Sequence, residues 1–174
     1  MVKQIIVGPR ESAIRIAEGK KNYTGLAIIS ISSYTKDILF TKEVQDQINC
    51  HNVLNFVFGD LNENDFKVAP ELMKEFPKFD EKMAEEIVQF LKKIKEKDIK
   101  LLFVHCDAGI ARSGAVGVFA CRYLGMNEDE FRKENPIIGP NTLVLEILNR
   151  VSGLREDYYS WWNDIVFKAS IDFL

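Results

Sequence analysis

The feature that most constrains the fold of this chain is Leu26–Ser32, a run of seven residues of which five are aliphatic and two are serine. A strand that is apolar on both faces is typical of the middle of a parallel sheet that helices cover on both sides. The run Leu101–Val104 has the same character, and residues 4–8 and 53–58 are two further strand-like runs. Because helical patterns separate these runs, the sequence predicts an α/β fold with a central, mainly parallel sheet of four to five strands flanked by helices.

The segments between and after these strands carry apolar residues at helical spacing. Residues 60–78 are different, because they lack periodicity and are rich in Asp, Asn and Lys, which predicts a long loop. The chain has no linker and no internal repeat, so we expect a single domain over residues 1–174. The predicted helices are 9–18, 79–97, 112–123, 127–134, 140–151 and 156–169.

Composition is that of a soluble globular protein, with 47% apolar and 28% charged residues. The formal net charge of −3 gives no indication of a nucleic-acid partner. No apolar run approaches the ~18 residues of a membrane span, so we expect neither a signal peptide nor membrane association. The three cysteines, Cys50, Cys106 and Cys121, have no paired spacing. This argues against a disulfide framework or a zinc site and favours the cytoplasm.

The segment Val104–Gly114 carries the chemistry, because it joins a predicted buried strand to a predicted helix. Such a loop points several backbone N–H groups inward, and the helix N-terminus adds partial positive charge, so a tetrahedral oxyanion fits it. Gly109 permits backbone geometry that a side chain would hinder. The residues expected to bind phosphate are Asp107, Ala108, Gly109, Ile110, Ala111 and Arg112.

Cys106, Arg112 and Ser113 supply the reactive side chains of this loop. The positive field of the helix N-terminus favours the thiolate of Cys106, which is the nucleophilic form of cysteine. Arg112 offers a planar fork of donors that can grip two phosphate oxygens and stabilise the charge of the transition state. Ser113 can donate to the sulfur of Cys106 and stabilise the thiolate when it acts as a leaving group.

The string His105-Cys106, five residues, then Arg112-Ser113, placed after a strand, resembles the HCxxGxxRS signature loop of protein tyrosine phosphatases and dual-specificity phosphatases. Pro140-Asn141 also looks like small bacterial members of this superfamily, and the resemblance covers about residues 50–150. It implies a protein-tyrosine-phosphatase-like fold and hydrolysis of phosphate monoesters through a phosphocysteine intermediate, with no metal and no cofactor.

The resemblance implies phosphotyrosine as the substrate class, together with phosphoserine and phosphothreonine if the chain follows the dual-specificity members. We expect a monomer that acts on a phosphorylated protein or a small phosphoester. The loop lacks the extra lysines that phosphoinositide-directed relatives often carry, as Asp107, Ile110 and Ala111 indicate. This favours a protein or small phosphoester over an inositol phosphate, although phosphatases for inositol phosphates or RNA 5′-phosphates would share the chemistry.

The leaving group needs a proton, and a carboxylic acid on a mobile loop is the usual donor. Asp60 is the first candidate because it lies just past a strand end, as the acid of the resembled family does. Asp65 is the second candidate and Glu63 the third, on the same predicted loop. Asp107 lies inside the signature loop, where we expect its side chain to point away from a bound phosphate.

Two other functions use a similar loop. A rhodanese-like sulfurtransferase holds a persulfide on a loop cysteine and would need no Asp60. A phosphate-binding module without turnover would bind a phosphopeptide with no dependence on an acid residue. We expect His105 to orient the loop rather than act as a base, and Cys50 is a candidate to trap oxidised Cys106 as a disulfide, because reactive thiolates oxidise readily.

Overall fold

The computed structural model describes residues 1–19, 21–68, 71 and 76–154. Within these ranges the strands are β1 (Gln4–Gly8), β2 (Leu26–Ser32), β3 (Val53–Val57) and β4 (Leu101–His105). They form one sheet in the order β1-β4-β2-β3, and every neighbouring pair is parallel. A parallel sheet of four strands with helices on its faces confirms the predicted α/β fold.

Helices follow the strands along the chain, and five of the described helices agree with predicted segments to within a few residues. The helices over residues 42–47 and 63–68 were not predicted. The predicted helix 156–169 lies outside the described residues. Among the helices that the structure does describe, none is long and apolar enough to cross a membrane. The helices are α1 (Arg10–Ala17), α2 (Lys42–Gln47), α3 (Glu63–Val68), α4 (Glu81–Lys95), α5 (Arg112–Tyr123), α6 (Glu128–Glu134) and α7 (Thr142–Ser152).

Strand β2 is buried along its whole length, as its continuous apolar character predicts. Successive side chains of a strand point to opposite faces of the sheet, so the strand contributes to two cores. Ala27, Ile29 and Ile31 belong to the larger apolar cluster, which contains the buried faces of α4, α5 and α7. Leu26 and Ile28 belong to the smaller cluster, against which α1 and α2 pack. The sheet is therefore the middle layer of three.

The interpretation of residues 60–78 as a loop is wrong in part, because α3 lies within this segment. Two reciprocal hydrogen bonds stabilise the start of α3. The main-chain N–H of Asn62 donates to Oδ2 of Asp65 at 2.8 Å, and the N–H of Asp65 donates to Oδ1 of Asn62 at 3.2 Å. This pairing is a capping box. The apolar pattern did not predict α3, because a helix this short has too few residues to reveal a helical period.

The outer edge of β1 is covered by one side chain. Asn135, which follows α6, accepts from the main-chain N–H of Val7 at 2.7 Å and donates from Nδ2 to the carbonyl oxygen of Ile5 at 3.0 Å. Its amide thereby makes two bonds that a further strand would otherwise make. These two groups at the edge of the sheet are therefore not available to another strand.

Candidate active site

The candidate nucleophile lies at the centre of the carboxyl edge of the sheet. Cys106 follows β4, whose last residue, His105, pairs in register with Gly8 of β1 and Ser30 of β2. Ligands of open α/β sheets bind outside the carboxyl ends of the strands, where neighbouring loops diverge. Helix α5 begins at Arg112, so residues 106–111 form a loop between the end of a strand and the start of a helix.

The loop depends on a glycine at its midpoint. Gly109 has a φ of +73°, in the left-handed region that side chains disfavour. A Cβ atom there would lie 2.5 Å from the main-chain carbon of Gly8 and 2.5 Å from the nitrogen of Pro9. The loop therefore packs directly on the backbone at the end of β1 and just after it.

Main-chain hydrogen bonds hold the loop from outside. The carbonyl oxygen of Asp107 accepts from Arg10 N–H at 3.0 Å, and that of Ala111 accepts from Asn141 N–H at 3.0 Å. Because the C=O and the following N–H of a trans peptide point in opposite directions, the N–H groups of Ala108 and Arg112 point away from these partners. These N–H groups therefore do not compete for the same partners, and they are candidates to bind an oxyanion.

Cys106 is buried, and its sulfur has a close polar neighbour among the described residues. The Sγ atom lies 3.0 Å from Oγ of Ser113, which is itself fully buried in the first turn of α5. A hydroxyl at this distance can donate to a thiolate. The structure therefore brings Ser113 and Cys106, which the sequence analysis paired, within hydrogen-bond distance of each other.

The guanidinium of Arg112 is buried and connects three strand ends. Its Nη1 donates to Oγ of Ser33, just after β2, at 3.1 Å and to the carbonyl oxygen of Phe58, just after β3, at 2.9 Å. Its Nη2 donates to Oδ2 of Asp107, just after β4, at 2.7 Å. Its Nε is buried and has no hydrogen-bond partner among the described residues. An unpartnered buried donor is costly, so this N–H is suited to an arriving acceptor.

The carboxylate of Asp107 is half-buried and faces Arg112. It also accepts a hydrogen bond of 2.6 Å from Oγ of Ser33. Burial alone would raise the pKa of Asp107, but the hydrogen bonds from Ser33 and Arg112 outweigh it and hold the pKa below its usual range. The group is therefore ionised at neutral pH and offsets part of the charge of Arg112.

Of the two main candidate acids, Asp60 is connected to the signature loop and Asp65 is not. Asp60 is exposed, and its Oδ1 accepts from Nδ2 of Asn141 at 2.9 Å. Asn141 in turn donates its main-chain N–H to Ala111, so one residue links Asp60 to the loop. The carboxylate of Asp65 is used as the cap of α3. Of these two carboxylates, the structure therefore brings Asp60 to the signature loop.

The remaining histidine and cysteine candidates, His105, Cys50 and Cys121, are buried. His105 is buried with Nε2 2.8 Å from Oγ of Ser30, and burial lowers the pKa of His105 to about 4, so it is neutral. Cys50 donates to the carbonyl oxygen of Leu26 and belongs to the smaller apolar cluster, whereas Cys106 belongs to the larger one. Burial raises the pKa of Cys50, and it raises the pKa of Cys121 to about 11.

Within the described ranges, no three His, Cys, Asp or Glu side chains are grouped so that they could hold a metal ion.

An aromatic pair lies next to residues that accept hydrogen bonds from Arg112. Tyr34 follows Ser33 and is 44% exposed, and its ring centroid is 5.4 Å from that of Phe76. Phe76 also packs against Gly59, which directly precedes Asp60. The pair thus joins the loop after β2 to the loop after β3 beside the candidate site.

Sequence reasoning missed Ser33 and the carbonyl of Phe58 as partners of Arg112. It named Asn141 only for its resemblance to other sequences and did not connect it with Asp60. A signal for Ser33 and Phe58 was available, because both positions directly follow predicted strands and the carboxyl ends of parallel strands meet at one edge.

No protein-family model matches this chain, and no curated protein matches it. Among solved structures, Tk-PTP in its active form is similar, with a TM-score of 0.54 and 17% identity over 87% of this chain and 91% of that chain. The human tyrosine phosphatase-like serine/threonine/tyrosine-interacting protein has a TM-score of 0.48 and 18% identity, over 86% of this chain and 91% of its own. PTPMT1 has a TM-score of 0.48 and 13% identity, over 85% and 88%. At these identities a structural likeness concerns the fold, and the fold of this chain is that of Tk-PTP.

Proposed function

We propose that this protein is a cysteine-dependent phosphatase that hydrolyses phosphate monoesters, phosphotyrosine above all, through a phosphocysteine intermediate. One observation carries the proposal. A single loop holds a buried cysteine sulfur 3.0 Å from a serine hydroxyl and a buried arginine whose Nε lacks a partner among the described residues. This combination supplies a nucleophile, a leaving-group stabiliser and an anion clamp at one place.

In the first step, the thiolate of Cys106 attacks phosphorus and the bond from phosphorus to the ester oxygen breaks. The loop N–H groups and Arg112 bind the phosphoryl oxygens, whose charge they stabilise in the transition state. Asp60 gives its proton to the departing oxygen, so the alcohol or phenol leaves neutral. The products of this step are the free alcohol and a phosphoryl group on the sulfur.

In the second step, the ionised carboxylate of Asp60 takes a proton from a water molecule that attacks phosphorus. The bond between phosphorus and sulfur breaks, and Ser113 donates a hydrogen bond to the thiolate that leaves. Inorganic phosphate is released, and Asp60 is protonated again for the next cycle.

The surroundings of the site support an aromatic phosphoester as substrate. The exposed Tyr34, next to Ser33 in the chain, packs against the partly buried Phe76, and aromatic rings pack favourably on one another in tilted or offset arrangements. The fold shared with Tk-PTP agrees with this proposal.

The proposal is tested by hydrolysis of para-nitrophenyl phosphate and of a phosphotyrosine peptide in EDTA. We expect Cys106→Ser to reduce turnover by at least about 10³-fold, because the nucleophile is lost. Asp60→Asn should reduce peptide turnover by about 10²-fold, since general acid catalysis is of that size, and nitrophenyl phosphate turnover less, because nitrophenolate needs no proton to leave.

Asp65→Asn is the matched control for the acid, because it removes a carboxylate from the same segment and should change turnover by less than about 3-fold. A wild-type protein that transfers sulfur from thiosulfate but releases no phosphate would contradict the proposal. Phosphopeptide binding without any turnover would contradict it as well.

A further inference from the structure

The side chains of Arg112, Ser33 and Asp107 form a closed ring of hydrogen bonds. Arg112 Nη1 donates to Ser33 Oγ at 3.1 Å, Ser33 Oγ donates to Asp107 Oδ2 at 2.6 Å, and Arg112 Nη2 donates to the same Oδ2 at 2.7 Å. Each member contacts the other two, so moving one of them breaks two bonds. The ring encloses the outer end of the guanidinium, between its two terminal nitrogens.

One edge of the guanidinium remains available to an arriving acceptor. The group has five N–H bonds in a fixed planar fork. Nη1 is engaged twice, by Ser33 and by the carbonyl oxygen of Phe58, and Nη2 is engaged once, by Asp107. Nε has no partner among the residues that the structure describes. The parallel N–H bonds of Nε and Nη2 form the edge that grips two oxygens of an oxyanion, and this edge retains its donors.

We propose that Asp107 and Ser33 are positioning residues, which hold Arg112 by its outer end and so present the Nε–Nη2 edge to the phosphoryl group. The inference rests on the proposed function, because it takes Arg112 to be the group that binds phosphate. It assigns a role to the side chain of a residue within the signature loop, in addition to the main-chain N–H groups of that loop.

The alternative to a positioning role is that the carboxylate of Asp107 competes with the substrate for Arg112. Asp107 brings a negative charge close to a bound anion, and this repulsion alone would weaken binding. The ring leaves Nε free, however, and it fixes a side chain that would otherwise have many rotamers to lose on binding. Alignment of reacting groups is the larger effect, since a shift of about 1 Å can cost 10²-fold in rate. The two arrangements predict opposite signs for removal of the carboxylate.

The test measures both turnover and direct anion binding in Asp107→Ala, Asp107→Asn, Ser33→Ala and the double variant Ser33→Ala/Asp107→Ala. Binding of tungstate, a tetrahedral oxyanion, is followed by calorimetry and needs no catalysis. Turnover of para-nitrophenyl phosphate gives kcat and KM separately. Asp37→Asn is the matched control, because Asp37 lies near Arg10 and its hydrogen bonds within the described structure run through its main chain.

We expect Asp107→Ala to lower kcat by about 30-fold with KM changed less than about 3-fold, because misalignment of Arg112 acts mainly in the transition state. Tungstate affinity should fall by no more than about 3-fold, because direct anion binding needs the exact alignment of Arg112 less than the transition state does. Asp107→Asn should recover part of both losses, since its amide oxygen can still accept from Arg112. The double variant should be no worse than about 2-fold below Asp107→Ala, because either change opens the same ring.

Tighter tungstate binding or a higher kcat in Asp107→Ala would overturn the inference and indicate competition for Arg112. Losses equal to those of Asp37→Asn, or full additivity in the double variant, would overturn it too. If Asp107→Ala does not fold, as judged by its thermal melting curve, the isosteric Asp107→Asn carries the test. A wild-type protein that binds tungstate in an Asp107-dependent way without any turnover would contradict the proposed function and leave the positioning role standing.

Discussion

The loop after β4 and the loop after β3 carry the two halves of the proposed reaction, and they are built differently. The first contains Cys106 and Arg112, is buried, and is held by a close-packed glycine and by main-chain hydrogen bonds. The second contains Asp60, which is exposed and is held by a hydrogen bond from one asparagine side chain. Binding and stabilising an anion requires fixed dipoles, whereas an acid must also exchange protons with water. The difference in construction follows this difference in task.

The largest expected effect comes from adding one methyl group to the buried loop. Gly109→Ala combines a positive φ with a Cβ atom 2.5 Å from the backbone after β1. We expect a loss of about 4 kcal/mol in the free energy of unfolding, from the left-handed penalty together with the forced overlap. Urea denaturation measures it.

Gly125→Ala is the matched control for this prediction. Gly125 also has a φ of +70°, but no described residue lies within 4 Å of an added Cβ. Its cost should be about 1 kcal/mol, the left-handed penalty alone. Equal losses in the two variants would contradict the close packing of the signature loop on Gly8 and Pro9.

The second effect is a pH dependence of stability that arises next to the nucleophile. Burial lowers the pKa of His105 from 6.5 to about 4. Between these values the unfolded chain takes up a proton that the folded chain does not. The contribution of His105 to the free energy of unfolding is therefore fully present above pH 6.5 and is lost as the pH drops toward 4. The contribution is about 3 kcal/mol.

Urea denaturation between pH 7.5 and 4.5 measures this dependence, and His105→Gln should reduce its slope. His51, the other histidine of the chain, is exposed, so His51→Gln should leave the slope unchanged. A slope that disappears with His51 instead of His105 would contradict the assignment.

The smallest effect concerns the hold on Asp60. Asn141 donates to Asp60, and its Oδ1 caps α7 by accepting from the N–H of Val144. Asn141→Ser keeps a capping oxygen but is too short to reach Asp60, whereas Asn141→Ala loses both. We expect both variants to lower kcat on a phosphotyrosine peptide by about 5-fold, because the acid is less well oriented.

Only Asn141→Ala should lose about 1 kcal/mol of stability, the usual value of a helix cap. Asn127→Ala is the control, because Asn127 caps α6 through its side chain and is remote from Asp60 in the chain. It should lose similar stability with turnover unchanged. A fall in turnover that follows stability across all three variants would contradict a specific role for Asn141.

The same contrast governs what the sequence could predict. Strands β2 and β4 and the loop after β4 were predictable because their signals are local: continuous apolar runs, and a cysteine, an arginine and a serine within eight residues. Helices α2 and α3 were not predicted, since each has six residues and cannot reveal a helical period. The spacing of Asn62 and Asp65 was the available signal for α3.

The partners of the reactive residues were less accessible to sequence reasoning, because they lie far away in the chain. Ser33 is 79 residues from Arg112, and Asn141 is 81 residues from Asp60. Such pairs can be predicted only when the order of the strands in the sheet is known. Here β4 lies between β1 and β2, although it is the last of the described strands in the chain. The side-chain role of Asp107 depends on Ser33 and was hidden for the same reason.

The most direct test of the central claim is to capture the intermediate on Cys106. Asp60→Asn is mixed with para-nitrophenyl phosphate, whose leaving group needs no acid, while breakdown of the intermediate lacks its base and slows. Rapid quenching in denaturant, proteolysis at neutral pH and mass spectrometry then locate any phosphoryl group. We expect the phosphoryl group on the peptide containing Cys106, and we expect none when Cys106→Ser is combined with Asp60→Asn. Release of nitrophenol with no phosphoryl group on Cys106, or with the group on another residue, would contradict it.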